Sequence, residues 1–141
     1  MRLVPKWFAA LLVASCVACG SSLPEPEFKT QPVQAFEEVP YPPPPPLAEV
    51  VPRFDDGRAV WVDGYWAWRG SKYLWLRGGW VLPPDGAHYA PWQLAYRSDG
   101  ALFLAQPSWY GADDKRLREP ETLVPARTPT NEVTPEDQLS H

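Results

Sequence analysis

The sequence predicts an all-β protein, a small antiparallel meander of about six strands curling into a barrel or sandwich, flanked by a Pro-rich disordered linker and a disordered C-terminal tail. Three observations predict it. One six-residue pattern, WxxGxW, is written twice, as WVDGYW over Trp61–Trp66 and WLRGGW over Trp75–Trp80, at a spacing of 14 residues. Turn-forming pairs punctuate short apolar runs across residues 54–110. Composition changes sharply before that stretch, where ten of the 19 prolines fall between Pro24 and Pro52. These signals divide the chain into a signal segment over 1–15, an anchor and linker over 16–53, a Trp-rich β-domain over 54–110 and an acidic tail over 111–141.

Arg2 and Lys6 precede an apolar run from Trp7 to Val13 that ends in Val13-Ala14-Ser15-Cys16. This is the pattern of a secretory signal peptide, and the run is well short of the roughly 20 residues that a membrane-spanning helix needs. Val-Ala-Ser-Cys resembles the lipobox of bacterial lipoproteins, in which the cysteine thiol receives diacylglycerol before cleavage. Cys16 is the expected acceptor, with Cys19 as its rival because Gly20-Ser21-Ser22 follow it. The resemblance implies a membrane partner through a lipid anchor. Since neither cysteine is followed by Asp, it also implies an outer-membrane address facing the periplasm. The alternative is an ordinary cleaved signal or a Cys16–Cys19 disulfide; in either case the β-domain has no disulfide framework.

The linker contains the unbroken run Pro42 to Pro46 and five Glu against Lys29 and Arg53. Proline fixes φ and removes donors, so residues 20–53 are expected as an extended polyproline II spacer reaching up to about 100 Å.

In the β-domain, Asp63-Gly64 and Arg77-Gly78 sit at the centres of the two motif copies, and each is expected to close a two-residue hairpin. Trp61 would then face Trp66, and Trp75 would face Trp80. A third turn at Gly70-Ser71 sets Trp68 against Tyr73, Ala67 against Leu74 and Trp66 against Trp75. Four indoles fall in one row, beside a row of Ala59, Trp68, Tyr73 and Leu82. The opposite face, with Val60, Val62, Tyr65, Ala67, Leu74, Leu76 and Val81, is apolar too and needs cover. His88 to Arg97, a turn at Asp99-Gly100, the ALFLA run and Trp109-Tyr110 are expected to provide it. A unit under about 60 residues is near the lower limit for independent folding, and seven Trp compensate by their large buried area. The tail carries seven acidic and four basic side chains, with one short helical turn expected around Asp113 to Glu119.

On these residues the chain resembles the WxxGxW repeat family of bacterial envelope proteins. Both copies keep the signature, Trp61, Gly64, Trp66 and Trp75, Gly78, Trp80, and Pro83-Pro84 follow the second copy. The resemblance covers about residues 58–84 and implies no established chemistry.

Charge and composition exclude several functions. The formal charge of −4 divides into about +2 in the signal, −3 in the linker, none in the domain and −3 in the tail, so no basic patch serves nucleic acid. Catalysis is not expected. A hydrolase would need Ser98 or Ser108 to converge with His88 and a carboxylate, and Asp55, Asp56, Asp63, Asp85 and Asp99 read as turn residues rather than a catalytic pair. No metal-ligand spacing and no cofactor motif is present. The remaining question is whether the indoles are interior or form a partly exposed platform. Trp66, Trp68, Tyr73 and Trp75, mid-meander, are the candidate binding surface. Two classes of function follow. One is a non-catalytic binding or scaffolding module for peptidoglycan, another envelope glycan or an envelope protein; the other is a structural accessory of an envelope complex with no small ligand.

Overall fold

A computed structural model describes residues 22–129. Its strands are β1 (Phe36–Val39), β2 (Val60–Val62), β3 (Tyr65–Trp68), β4 (Tyr73–Leu76), β5 (Gly79–Val81), β6 (His88–Ala90), β7 (Gln93–Tyr96), β8 (Leu102–Ala105), β9 (Ser108–Tyr110) and β10 (Thr122–Pro125). The chain is all-β and antiparallel, as expected, with a single 3-10 turn at Val33–Ala35 among the described residues.

The strands assemble as two long ribbons, each interrupted once. In the first, Gly70 at φ 77° turns the chain in the left-handed region that glycine adopts without strain. The Arg69 N–H then donates to the Lys72 carbonyl at 2.9 Å. Trp68 pairs with Tyr73 and Trp66 with Trp75, the expected register, and pairing continues to Tyr65 opposite Leu76. After a break at Asp63-Gly64 and Arg77-Gly78 the same register resumes, with Val62 opposite Gly79 and Trp61 opposite Trp80. The second ribbon turns at Asp99-Gly100, where Arg97 N–H donates to Ala101 O at 2.9 Å. β7 pairs with β8 there; Pro91-Trp92 and Gln106-Pro107 interrupt the ladder, and β6 then pairs with β9 in the continued register.

The two central glycine pairs are therefore not hairpin turns. Neither Gly64 nor Gly78 has positive φ, and β2 bonds to β5 rather than to β3. The expected meander loses because flanking chain takes the edges that it would use. β10 pairs with the free side of β5, and the Trp61 N–H donates to Pro24 O at 2.8 Å. The single row of four indoles is likewise replaced by two cross-strand pairs on either side of the break, edge-on at 5.6 Å (Trp61–Trp80) and 5.3 Å (Trp66–Trp75). Such geometry adds about 0.5–1.5 kcal/mol per pair beyond area burial, so burial itself contributes more than the ring geometry.

The linker differs most from expectation. Residues 22–53 are not a free spacer: β1 extends the β8–β7 sheet, Phe28 bridges to Tyr89 in parallel, and Val50 bridges to Arg127. The start of the tail, through Arg127, also packs in as β10 and as a bridge from Arg116 to Tyr110, without the expected helical turn. Proline lacks a donor but keeps its carbonyl, and this stretch is used for its acceptors. The folded unit thus extends past 54–110 in both directions. It holds four small sheets, β1-β8-β7, β10-β5-β2, β3-β4 and β6-β9, in place of a closed barrel.

Three apolar clusters hold the layers together. Trp68, Leu102, Leu104 and Val39, with Tyr73 and Leu94 against them, join the tips of the two ribbons. Val81, Ala87, Tyr89 and Trp109, with Val60 and Val62, join their bases, which covers that part of the face as predicted, whereas Leu74 of the same face stays 42% exposed. Trp61, Trp80, Ala59 and Ala126 lie on the other side of the first ribbon's base, under Val51, Phe54 and Val124 of the flanks. The expected row of Ala59, Trp68, Tyr73 and Leu82 is accordingly split, two residues in the tip cluster and two under the flanks.

Candidate functional site

The break in the first ribbon organises the aromatic surface. A Cβ on Gly78 would stand 2.5 Å from the Val62 carbonyl and 2.7 Å from the Gly64 nitrogen, and one on Gly64 would meet the Trp75 ring at 2.6 Å. Only glycine lets the two strands close at this point, which gives the shared centre of the two motif copies a steric reason. The Glu49 carboxylate fills the gap, accepting from the Gly78 N–H at 3.0 Å and from Trp75 Nε1 at 2.9 Å.

All four signature indoles have their N–H satisfied. Trp61 Nε1 donates to Asp63 Oδ1 at 2.9 Å; Trp66 Nε1 donates to the Pro45 carbonyl at 3.0 Å, and Trp80 Nε1 to the Pro52 carbonyl at 2.8 Å. With Trp75 on Glu49, three of the four are held by the proline-rich segment. Tyr41 adds edge-on contacts to Trp68 and Tyr73 at 5.5 and 5.6 Å, and Tyr73 Oη donates to the Tyr41 carbonyl at 2.9 Å. Burial pushes the Tyr73 phenol upward, as does neighbouring Tyr41.

The candidate platform is therefore redrawn. Trp68 is 8% exposed and belongs to the core, and Tyr73 lies against Tyr41. Trp66 and Trp75 remain half-buried, lining a cavity of about 290 Å³ with Pro42–Pro46, Leu94 and Trp92. Trp92, on the break of the second ribbon, is 42% exposed and was not singled out from sequence. Its position inside an alternating run concealed it; the preceding Pro91, which cannot continue a ladder, was the available signal. Trp92 also lines two neighbouring hollows of about 240 and 550 Å³, the first with Glu49, Trp61 and Trp75, the second with Trp61, Phe28 and Tyr89. The three hollows share Gly64 and Trp92, and the first of them, of about 290 Å³, is the indole groove.

A larger cleft of about 740 Å³ lies elsewhere, lined by Tyr65, Tyr110, Ser108, Arg69, Arg116 and Glu119 among others, and an adjoining hollow of about 390 Å³ shares Tyr65 and Glu119 with it. Burial raises the Tyr65 phenol, and nearby Glu119 adds to this. Its charges are mixed and partly engaged: Asp114 pairs with Lys29 at 2.7 Å, and Glu37 accepts from Gln106 at 3.2 Å. The Lys29 ammonium holds the Asp114 carboxyl below the usual carboxylate range.

His88 Nε2 lies 3.2 Å from Glu27 Oε2, whereas Ser98 is exposed beyond β7 and Ser108 pairs across the ladder with Ala90. Asp63 accepts an indole N–H, and Asp56 and Asp99 bind arginines two residues away. No group of three potential metal ligands and no helix long and apolar enough to cross a membrane occurs among the described residues. Cys16, Cys19 and the signal segment lie outside the described residues. No protein family, no curated protein and no solved structure matches this chain.

Proposed function

We propose that this is a lipid-anchored protein of the bacterial envelope, attached through Cys16 or Cys19, in the outer membrane and facing the periplasm. Its Trp-rich β-domain is a non-catalytic binding or scaffolding module for peptidoglycan, another envelope glycan or an envelope protein. Support for the address comes from the lipobox-like Val13–Cys16 and the two WxxGxW copies. The observation that carries the binding role is the indole groove, where the exposed Trp92 stands beside the half-buried Trp66 and Trp75 around about 290 Å³ of mainly apolar space. Flat apolar rings of this kind stack on sugar rings or on peptide, and a concave apolar site with few polar groups is the ordinary form of a ligand site.

Co-sedimentation with insoluble peptidoglycan tests the glycan form. The wild-type chain is retained by sacculi and Trp92→Ala is released at an unchanged melting temperature; a wild-type chain left in the supernatant sinks it. One observation favours the second reading, an assembly accessory without a small ligand. β7 ends its sheet with one side unpaired among the described residues, and Tyr96 on it is 70% exposed, an edge suited to strand addition.

A further inference from the structure

One wall of the groove is the chain's own Pro42–Pro46 run. Each of Pro42, Pro43, Pro44 and Pro45 precedes another proline, so fixed φ and exclusion of the helical region force this run into polyproline II. The run crosses the indoles between two anchors, buried Val39 opposite Leu102 in β1–β8 and Val50 bridged to Arg127. Between them, residues 40–49 bond to the ribbon through Tyr41, which lies on Trp68 and Tyr73, donates to the Ser71 carbonyl and accepts from Tyr73 Oη, through the Pro45 carbonyl on Trp66, and through Glu49 on Trp75 and Gly78. Most of the strap is exposed, Leu47 to 50%.

We infer that the Trp66–Trp75–Trp92 groove is a receptor for polyproline II peptide, and that the Pro42–Pro46 strap is a tethered self-ligand which a proline-rich segment of a partner protein displaces. Recognition has two parts already present in cis. The Trp66 indole N–H donates to the Pro45 carbonyl, and Trp66, Trp75 and Trp92 line one hollow with Pro42–Pro46; an indole donor beside apolar rings is the combination by which aromatic grooves select this preformed helix. The strap's tether gives it an effective concentration on the order of millimolar, so partners succeed when multivalent or when the strap is loosened. The inference rests on the groove being a binding surface and names its partner class.

The test uses the full chain and a synthetic peptide of residues 40–49. In a variant with Pro42, Pro43, Pro44, Pro45 and Pro46 all changed to Ser, the peptide binds at least tenfold more tightly than to wild type, read by tryptophan emission, and Trp66→Phe in that background weakens it severalfold. A folded variant that ignores the peptide, or a wild type that binds it equally well, overturns the inference. If the variant does not fold, the wild type decides. At millimolar peptide the Trp66 indole N–H resonance, assigned through Trp66→Phe, shifts saturably and does not respond to a Gly-Ser peptide of equal length; an unmoved resonance overturns the inference. Sacculus retention is measured separately, so loss of glycan binding and loss of peptide binding are distinguishable.

Discussion

The first ribbon, residues 60–81, and the second, 88–110, share a plan: a glycine tip, one continuous pairing register and one interruption midway. They differ in what the interruption leaves unbonded. Glycines at the first break leave donors, the Gly78 N–H and the Trp75 indole, and Glu49 brings a carboxylate to both. Prolines at the second remove donors and leave acceptors. There the Gln31 carboxamide donates to the carbonyls of Ala90, Pro91 and Gln106 at 3.0, 2.7 and 3.0 Å. Both complements come from the proline-rich N-terminal segment, a carboxylate for the donors and an amide N–H for the acceptors, the amide's own Oε1 being left buried without a partner.

Two substitutions break this comparison at its centre. The larger effect is expected at Gly78→Ala, where the new methyl meets backbone on two sides and the ribbon must open; about 3 kcal/mol of stability should be lost, measured as a fall in the urea midpoint. A variant near wild-type stability would show that the break is compliant. Gln31→Ala comes next. Gln31 is 6% exposed, and removing its side chain strands three carbonyls at the second break while also removing its own unpartnered buried Oε1, for about 2 kcal/mol net. Hydrogen exchange should then rise at the ladder amides of β6–β9 before those of β3–β4, whereas uniform loss would mean the two breaks are not sealed independently.

The legible parts of the fold were those with local causes. Gly70-Ser71 fixed the tip register, and Asp99-Gly100 fixed the second turn, since each requires only the residues beside it. The motif centres misled because an Asp-Gly pair signals a turn by propensity, while the role of Gly64 here is close approach to Gly78, 14 residues on, where the two strands meet. The indole groove was half legible. Trp66 and Trp75 stood out by repetition, but Trp92 lay in an alternating run, and Glu49 and Pro45 in a segment whose composition signals disorder. Composition describes what proline cannot donate; it does not register that each proline carbonyl still accepts, and the indoles need acceptors.

The smallest expected effect separates the ribbons by titration. At its base the first carries the Trp61–Trp80 indole pair, which does not ionise, its phenols Tyr65 and Tyr73 lying beyond the break; the base of the second carries Tyr89 against Trp109, ring centroids 5.1 Å apart, and Tyr89 is 7% exposed. Burial, followed by the nearby Tyr65 and Glu119, raises its phenol well above the ordinary value of 10.0. The folded state therefore keeps the proton that the unfolded chain releases first. The stability from this group is complete below the unfolded value and declines as the pH rises beyond it, by about 0.8 kcal/mol at roughly half a unit above. Tyr89→Phe retains the ring and removes the proton, so wild type should lose stability between about pH 8 and 10.5 more steeply than the variant, by urea denaturation at each pH. Parallel profiles would mean that the base of the second ribbon admits water to the phenol, and that its cluster is less tightly closed than the indole pair of Trp61 and Trp80 across the sheet.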